Sequence, residues 1–301
     1  MSTQIITTAE VTTLPLAGRL ADYVQLVRPK IAVMVLVTTL LGALLAGQGS
    51  APGMTLVWIL LGTGLVTAGA STINQLLERR TDARMERTEN RPLPSGRLGA
   101  TEVAIFGLMT TMAGLAILLA LPSGPAAALV AGATFALYVF AYTPAKRRTW
   151  LNTFIGAVPG ALPPLIGWAG IRGTLNWEAG PLFLILFFWQ VPHFMAIAWI
   201  YREDYRRAGL KMLPGIDPTG VRTTVAMIGH TILLLAASLW PLRYGAGWLY
   251  AVGAVALGLL FLAPMLSFAQ DRSTTTARRV LRLSLLYLPC VLILLLCDRL
   301  L

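Results

Sequence analysis

Charge is scarce in this chain. Of 301 residues only 12% are Asp, Glu, Lys or Arg, while 56% are hydrophobic. A soluble domain of this size carries about a quarter charged residues, so the composition excludes an ordinary soluble enzyme and a disordered chain. Cysteine is almost absent. Cys290 and Cys297 lie in one apolar stretch, which excludes a disulfide framework and a cysteine metal site. Histidine occurs twice, at His193 and His230, too few for a histidine-based metal centre. Acids number 13 against 24 Lys and Arg, a net charge of +11. In an apolar chain such an excess reports membrane orientation, so it does not argue for nucleic-acid binding. Residues 1–18 hold no Lys or Arg, and so lack the basic start of a signal peptide and the arginines of a transit peptide. They are expected to form a short flexible tail.

Apolar runs fill the rest. A bilayer core is spanned by about 20 such residues in a helix. Nine runs qualify, at 31–47, 54–77, 101–121, 125–143, 151–170, 181–200, 221–240, 246–268 and 277–297. The expected fold is therefore an all-α integral membrane protein of nine spans. A cytoplasmic tail covers 1–30, and one membrane domain covers 31–301. Spans 1–4 and 5–8 read as two repeats in the same orientation, with span 9 added. Alternating the loops puts 21 basic residues on one side and only Arg172, Arg243 and Arg299 on the other. The positive-inside rule then places the N-terminus in the cytoplasm and the C-terminus outside.

That rule does not account for the acids. Asn74, Glu78, Asp82 and Glu86 recur every four residues as span 2 leaves the membrane. Continued as a helix they share one face, drifting about 40° per step. Oxygen-bearing side chains stacked this way repel as a salt-bridge ladder. They suit a hard cation such as Mg²⁺, which takes one or two carboxylates and substrate phosphate oxygens. Arg79, Arg80, Arg84, Arg87 and Arg91 surround them, and guanidinium groups bind phosphate bidentately. A metal-bridged diphosphate is the indicated ligand.

A second polar group lies in span 6. Gln190 and His193 sit three residues apart deep in the apolar run, beside Pro192. Polar groups inside a membrane mark function by default. Past the span, Glu203 and Asp204 offer further carboxylates among Arg202, Arg206 and Arg207. Facing the first group, they would complete a two-metal clamp. Tyr142, Lys146, Arg147 and Asn152 flank the same side, as do Arg28 and Lys30, and Tyr201 closes span 6. His230, alone in span 7, reads as structural.

These blocks resemble a known family. Asn74-xxx-Glu78-xxx-Asp82-xxx-Glu86-Arg87-Thr88, running into Arg91-Pro92-Leu93-Pro94-Ser95-Gly96-Arg97, is similar to the first motif of the UbiA superfamily of intramembrane prenyltransferases. Tyr142-Thr-Pro-x-Lys146-Arg147 with Asn152-Thr153 adds to this. Trp189-Gln-x-Pro192-His193-Phe194, continuing to Asp204-Tyr205 and Met212-Leu-Pro214, resembles the protohaem IX farnesyltransferase branch. Two positions depart from the pattern: Glu78 stands where Asp is common, and Arg80 where an acid is expected.

The resemblance implies a UbiA-like bundle, and the missing transit-peptide arginines favour a bacterial inner membrane. It implies transfer of farnesyl from farnesyl diphosphate to a vinyl group of haem B, with water added. Asn74, Glu78 and Asp82 would bind one Mg²⁺, and Glu203 and Asp204 a second. Arg87, Arg91, Lys146 and Arg147 would hold phosphate oxygens. Tyr142 or Tyr201 would stabilise the cation, and His193 would contact haem or carry a proton, with Gln190 and Asn152 near the substrates. A downstream haem-modifying enzyme or terminal oxidase is the implied partner. The rival readings are a sibling enzyme acting on an aromatic acid or quinone precursor, a transporter with a charged gate, and a structural subunit of a respiratory complex.

Overall fold

A computed structural model describes residues 16–300. Fourteen helices are present among them. They are α1 Leu16–Val27, α2 Pro29–Ala46, α3 Gly53–Asp82, α4 Ala100–Leu119, α5 Gly124–Ala136, α6 Thr143–Arg148, α7 Asn152–Ala161, α8 Pro163–Arg172, α9 Gly180–Ile200, α10 Arg202–Arg207, α11 Leu213–Ile216, α12 Val221–Leu239, α13 Trp248–Gln270 and α14 Thr274–Leu300. A π-helical segment, Leu137–Tyr142, joins α5 to α6. Among the described residues nine stretches are long and apolar enough to cross a membrane: α2, α3, α4, α5–α6, α7–α8, α9, α12, α13 and α14, with a short 3-10 turn preceding α9 and another following α12. They agree with the nine runs expected, and the chain is a multi-pass membrane protein. Leu108, Met109, Leu129, Val225, Leu259 and Leu286 point outward, the pattern of a bundle solvated by lipid.

Three elements differ from a plain reading of apolar runs. The expected tail at 1–30 is helical from Leu16, while 1–15 lie outside the described residues. α1 turns Asp22 and Leu26 inward and leaves Leu20 and Val24 exposed. Arg97 Nε donates to Asp22 Oδ1 at 2.9 Å, and Gln75 Nε2 donates to Leu26 O at 2.7 Å. Span 5 is broken at Leu162, because Pro163 and Pro164 supply no N–H to the preceding turn, although Leu162 itself keeps helical dihedrals. Span 2 ends at Asp82 and does not run on through Glu86. There Met85 turns into an apolar cluster with Ala198, Ala208, Leu210 and Met212, and Thr88 Oγ1 takes the Asp82 carbonyl at 2.8 Å. The four-residue ladder therefore stops at Asp82, and Glu86 is exposed.

The packing also regroups the spans. α9, α12, α13 and α14 form a closed four-helix ring. α2, α3, α4, α5 and α8 form a second ring, and α7 ties it to α9. The second half of span 5 thus packs with spans 1–4. One buried apolar cluster runs from Leu41 to Leu295 through both rings, so they share a core.

In lipid, helices associate by close backbone approach at small residues. A Cβ on Gly167 would lie 1.9 Å from Thr39 O, and one on Gly42 would lie 2.0 Å from Pro164 O. The α2–α8 contact therefore requires glycine on both sides. Gly167→Ala is expected to cost about 1–3 kcal/mol, as overpacked cores do. Gly229→Ala, which meets nothing within 4 Å, should change stability by less than about 1 kcal/mol. Thermal unfolding in detergent compares them, and equal melting would contradict the close crossing.

Candidate active site

The end of α3 carries the site. Asn74, Glu78 and Asp82 lie on one face and are all buried. Asn74 Nδ2 donates to Thr143 Oγ1 at 2.9 Å, and Thr143 Oγ1 donates in turn to Tyr138 O at 2.9 Å. That second bond spans five residues and belongs to the π-helical segment, a distortion frequent at functional sites. It fixes the amide, so Asn74 Oδ1 is buried without a hydrogen-bond partner. A buried oxygen of this kind costs free energy unless a ligand uses it.

Each carboxylate is held against a cation. Lys146 Nζ lies 2.8 Å from Glu78 Oε1, a close ion pair without directed hydrogen-bond geometry. The same ammonium sits 4.5 Å from the centre of the Tyr142 ring. Arg91 Nη1 donates to Asp82 Oδ2 at 2.7 Å. Burial lowers the Arg91 pKa, and the neighbouring positive charge of Arg28 lowers it further. The guanidinium is thus kept charged at a cost, which an anion would relieve. Arg28 itself adopts a left-handed backbone (φ 54°) before Pro29, with Nε buried and unpartnered. Arg147 donates to the hydroxyl of Thr81 and joins the same surface.

The span-6 residues divide. Asp204 is mostly buried and pairs with Arg207. Glu203 is exposed and lies 3.4 Å from Arg206, outside the buried group. Tyr201 closes α9, and the Arg87 guanidinium lies 5.2 Å from its ring centre. That contact, with Met85 packed on the α10–α11 region, brings the two loops together. Among the described residues no three His, Cys, Asp or Glu side chains converge as a metal-binding group. A cation here would rely on the Asn74 oxygen beside the carboxylates.

Three further expected site residues are held by hydrogen bonds within the bundle. Asn152 Nδ2 donates to Thr149 O at 2.6 Å and to Lys211 O at 2.8 Å, while Lys211 N donates to Lys146 O at 2.8 Å. Asn152 thereby positions the Lys146 backbone. Gln190 Nε2 donates to Leu186 O at 3.1 Å and Ala157 O at 3.3 Å, bridging α9 and α7. His193 Nδ1 lies 2.7 Å from Ser284 Oγ on α14 and stacks on Trp189. The Ser284 hydroxyl donates to Leu281 O at 2.6 Å. Its oxygen therefore accepts from Nδ1–H, and His193 Nε2 carries the lone pair. His230 bonds the Ala226 carbonyl on its own helix, consistent with a structural residue.

Sequence reasoning missed Thr143, Thr81 and Thr88. Their neighbours Tyr142, Arg80 and Arg87 were visible, but a threonine in a helix carries no signal until its partner is placed.

The fold and the site define a class: a helical membrane enzyme with a carboxylate–cation face at one boundary. Comparisons with known proteins agree. The profile of the UbiA prenyltransferase family matches residues 35–286. The chain is 43% identical over 288 residues to a protein of Solibacter usitatus named protoheme IX farnesyltransferase, covering 92% of this chain and 98% of that one. It is 42% identical over 278 residues to a protein of the same name from Salinibacter ruber, with the same coverage. Among solved structures, a digeranylgeranylglyceryl phosphate synthase superposes with a TM-score of 0.77 at 18% identity, over 94% of this chain and 99% of that one. A UbiA homologue from Archaeoglobus fulgidus, bound to GPP and Mg²⁺, gives 0.67 at 18% identity, over 91% and 99%. The chain belongs to the UbiA prenyltransferase family.

Asn152→Ala should lower stability by about 1–3 kcal/mol, because a buried side chain loses its two hydrogen bonds to backbone carbonyls. Thermal unfolding in detergent checks this. Unchanged melting with lost turnover would return Asn152 to the substrate-binding set.

Proposed function

We propose that this chain transfers the farnesyl group of farnesyl diphosphate to a vinyl carbon of haem B, with water added, giving haem O and diphosphate. The observation that carries the donor half is the α3 face. A buried amide oxygen without a partner stands beside two carboxylates, each paired with a cation. The relatives' shared name and the Trp189-Gln-x-Pro-His193-Phe block support the acceptor half.

The donor set fits Mg²⁺ bound by Asn74, Glu78 and Asp82, with Asp204 as the better candidate ligand from the second loop. Bound there, Mg²⁺ adds positive charge beside the diphosphate and lowers the cost of its departure. The residues of the chain do the rest. Lys146 and Arg91 leave their carboxylates for phosphate oxygens, and Arg87 and Arg147 extend the cationic surface. The allylic C–O bond breaks and its electron pair leaves with the diphosphate. The face of the Tyr142 ring, a negative π-surface, stabilises the allylic cation. The haem vinyl group attacks that cation, and the resulting carbocation takes up water and loses a proton. The apolar surroundings delay that water until the C–C bond has formed.

His193 presents Nε2 as a lone pair, which favours contact with haem iron over contact with a propionate. The positive-inside pattern supports a cytoplasmic carboxylate end, an external C-terminus and a bacterial inner-membrane location.

Purified protein with haem B, farnesyl diphosphate and Mg²⁺ should yield a farnesylated haem by chromatography and mass. Chelation should abolish it, and Asp82→Asn should lower turnover by about 10²-fold or more. Mg²⁺-dependent use of the diphosphate only with an aromatic acceptor would remove the haem assignment. In a separate measurement, His193→Ala should change the visible spectrum of bound haem and leave Mg²⁺-dependent binding of the diphosphate intact. An unchanged spectrum would exclude the iron contact.

A further inference from the structure

At the end of the bundle opposite the carboxylates, a cavity of about 90 Å³ opens between α8, α9 and α14. The membrane-orientation pattern leaves only three basic residues at this end, Arg172, Arg243 and Arg299. Two of them, Arg172 and Arg299, line the one cavity. Positive charge is disfavoured on this side of a membrane protein, so its concentration at one point needs a local cause. Arg172 Nε donates to Ala46 O at 2.6 Å, and Arg299 is anchored on the Tyr244 carbonyl. Each guanidinium is fixed by one bond and keeps further N–H groups for a ligand.

A second observation is independent of charge. Trp168 lines the same cavity, is 5% exposed, and has a buried Nε1 without a hydrogen-bond partner. The Arg172 guanidinium lies 5.9 Å from its ring centre. A buried indole N–H is a donor only, and leaving it unmade is costly. The missing partner is therefore an acceptor. Two guanidinium groups and an indole N–H, all donors, call for an oxyanion. Glu178 also lines the cavity and offsets one of the two positive charges. The net single positive charge suits a monoanion, and the volume suits one tetrahedral group, with no room for a tetrapyrrole.

We propose that this cavity binds the phosphodiester of a membrane phospholipid, through Arg172, Arg299 and the Trp168 indole. Leu182 and Leu295, both buried, form the apolar wall of the cavity, so a ligand with an apolar part beside its anionic group meets both an apolar and a cationic surface. The site is distinct from the donor site and does not depend on the proposed reaction.

Native mass spectrometry of the intact protein in detergent, with added phosphatidylglycerol or phosphatidylethanolamine, tests this. One phospholipid should remain bound at activation energies that strip the rest. Arg172→Ala with Arg299→Ala should lower its occupancy by about tenfold or more, the scale of losing charge-assisted bonds to phosphate. Arg243→Ala, at the same end but outside the cavity, should leave it unchanged. If the double variant does not fold, Trp168→Phe, which keeps the ring and removes the donor, should still lower occupancy. Equal retention in all variants would overturn the site, as would equal loss with Arg243→Ala. Thermal stabilisation by inorganic phosphate equal to that by phospholipid would overturn the lipid assignment in favour of a free anion.

Discussion

Two carboxylates, Glu78 and Asp82, are buried at a membrane boundary, and the surrounding structure is arranged around neutralising them. A buried charge is tolerated only when paired. Lys146 comes from span 4 and Arg91 from the loop directly after span 2, so one pair ties two spans together and the other pins the loop back onto the end of α3. Such pairs are weak devices for stability, because well-packed apolar residues commonly do as well. Their value here is that both members are reusable. In the proposed reaction a metal–diphosphate would bring a cation for the carboxylates and an anion for Lys146 and Arg91, so that charges of opposite sign enter the site together.

The backbone irregularities serve that arrangement. The π-helical segment turns Thr143 toward Asn74 and so decides which atom of the amide is left unpartnered. Asn152 and Lys211 pin the chain at Lys146, directly after that segment. Arg97 draws α1 over the same end through Asp22. α1, the α10–α11 loop and the 83–97 loop all converge on the boundary where the charges lie, while the opposite loops are shorter and more apolar. Precision is concentrated where a diphosphate would have to be held.

The parts legible from sequence follow from this division. Nine apolar runs gave nine spans, because a bilayer leaves little choice of length or secondary structure. Asn74, Glu78 and Asp82 were legible because a four-residue period on a helix is a strong geometric statement. Glu86 was misassigned to that face because the period says nothing about where the helix ends. The end is set by Met85 finding an apolar contact on span 6, a long-range event. Glu203 and Asp204 looked equivalent as neighbours, yet only one is turned inward, and a short helix after a break carries no pattern to separate them. Asn152 and Gln190 each donate to two backbone carbonyls, partners that the sequence does not display.

The two halves of the reaction are therefore unequally written in the chain. A diphosphate is recognised by charge, and charge in a membrane protein is rare enough to be conspicuous. A tetrapyrrole is recognised mostly by apolar shape, and an apolar wall is indistinguishable in sequence from a lipid-facing one. His193 is the exception, since a histidine within a span is costly unless used. Its bond to Ser284, whose own proton is committed to Leu281, leaves the outer nitrogen as an acceptor in the neutral ring. A neutral imidazole held in one tautomer by its other nitrogen is the form that ligates a metal. In the proposed reaction the acceptor side would rest on a single hydrogen-bond chain between α9 and α14, and the donor side on the ion pairs around the end of α3.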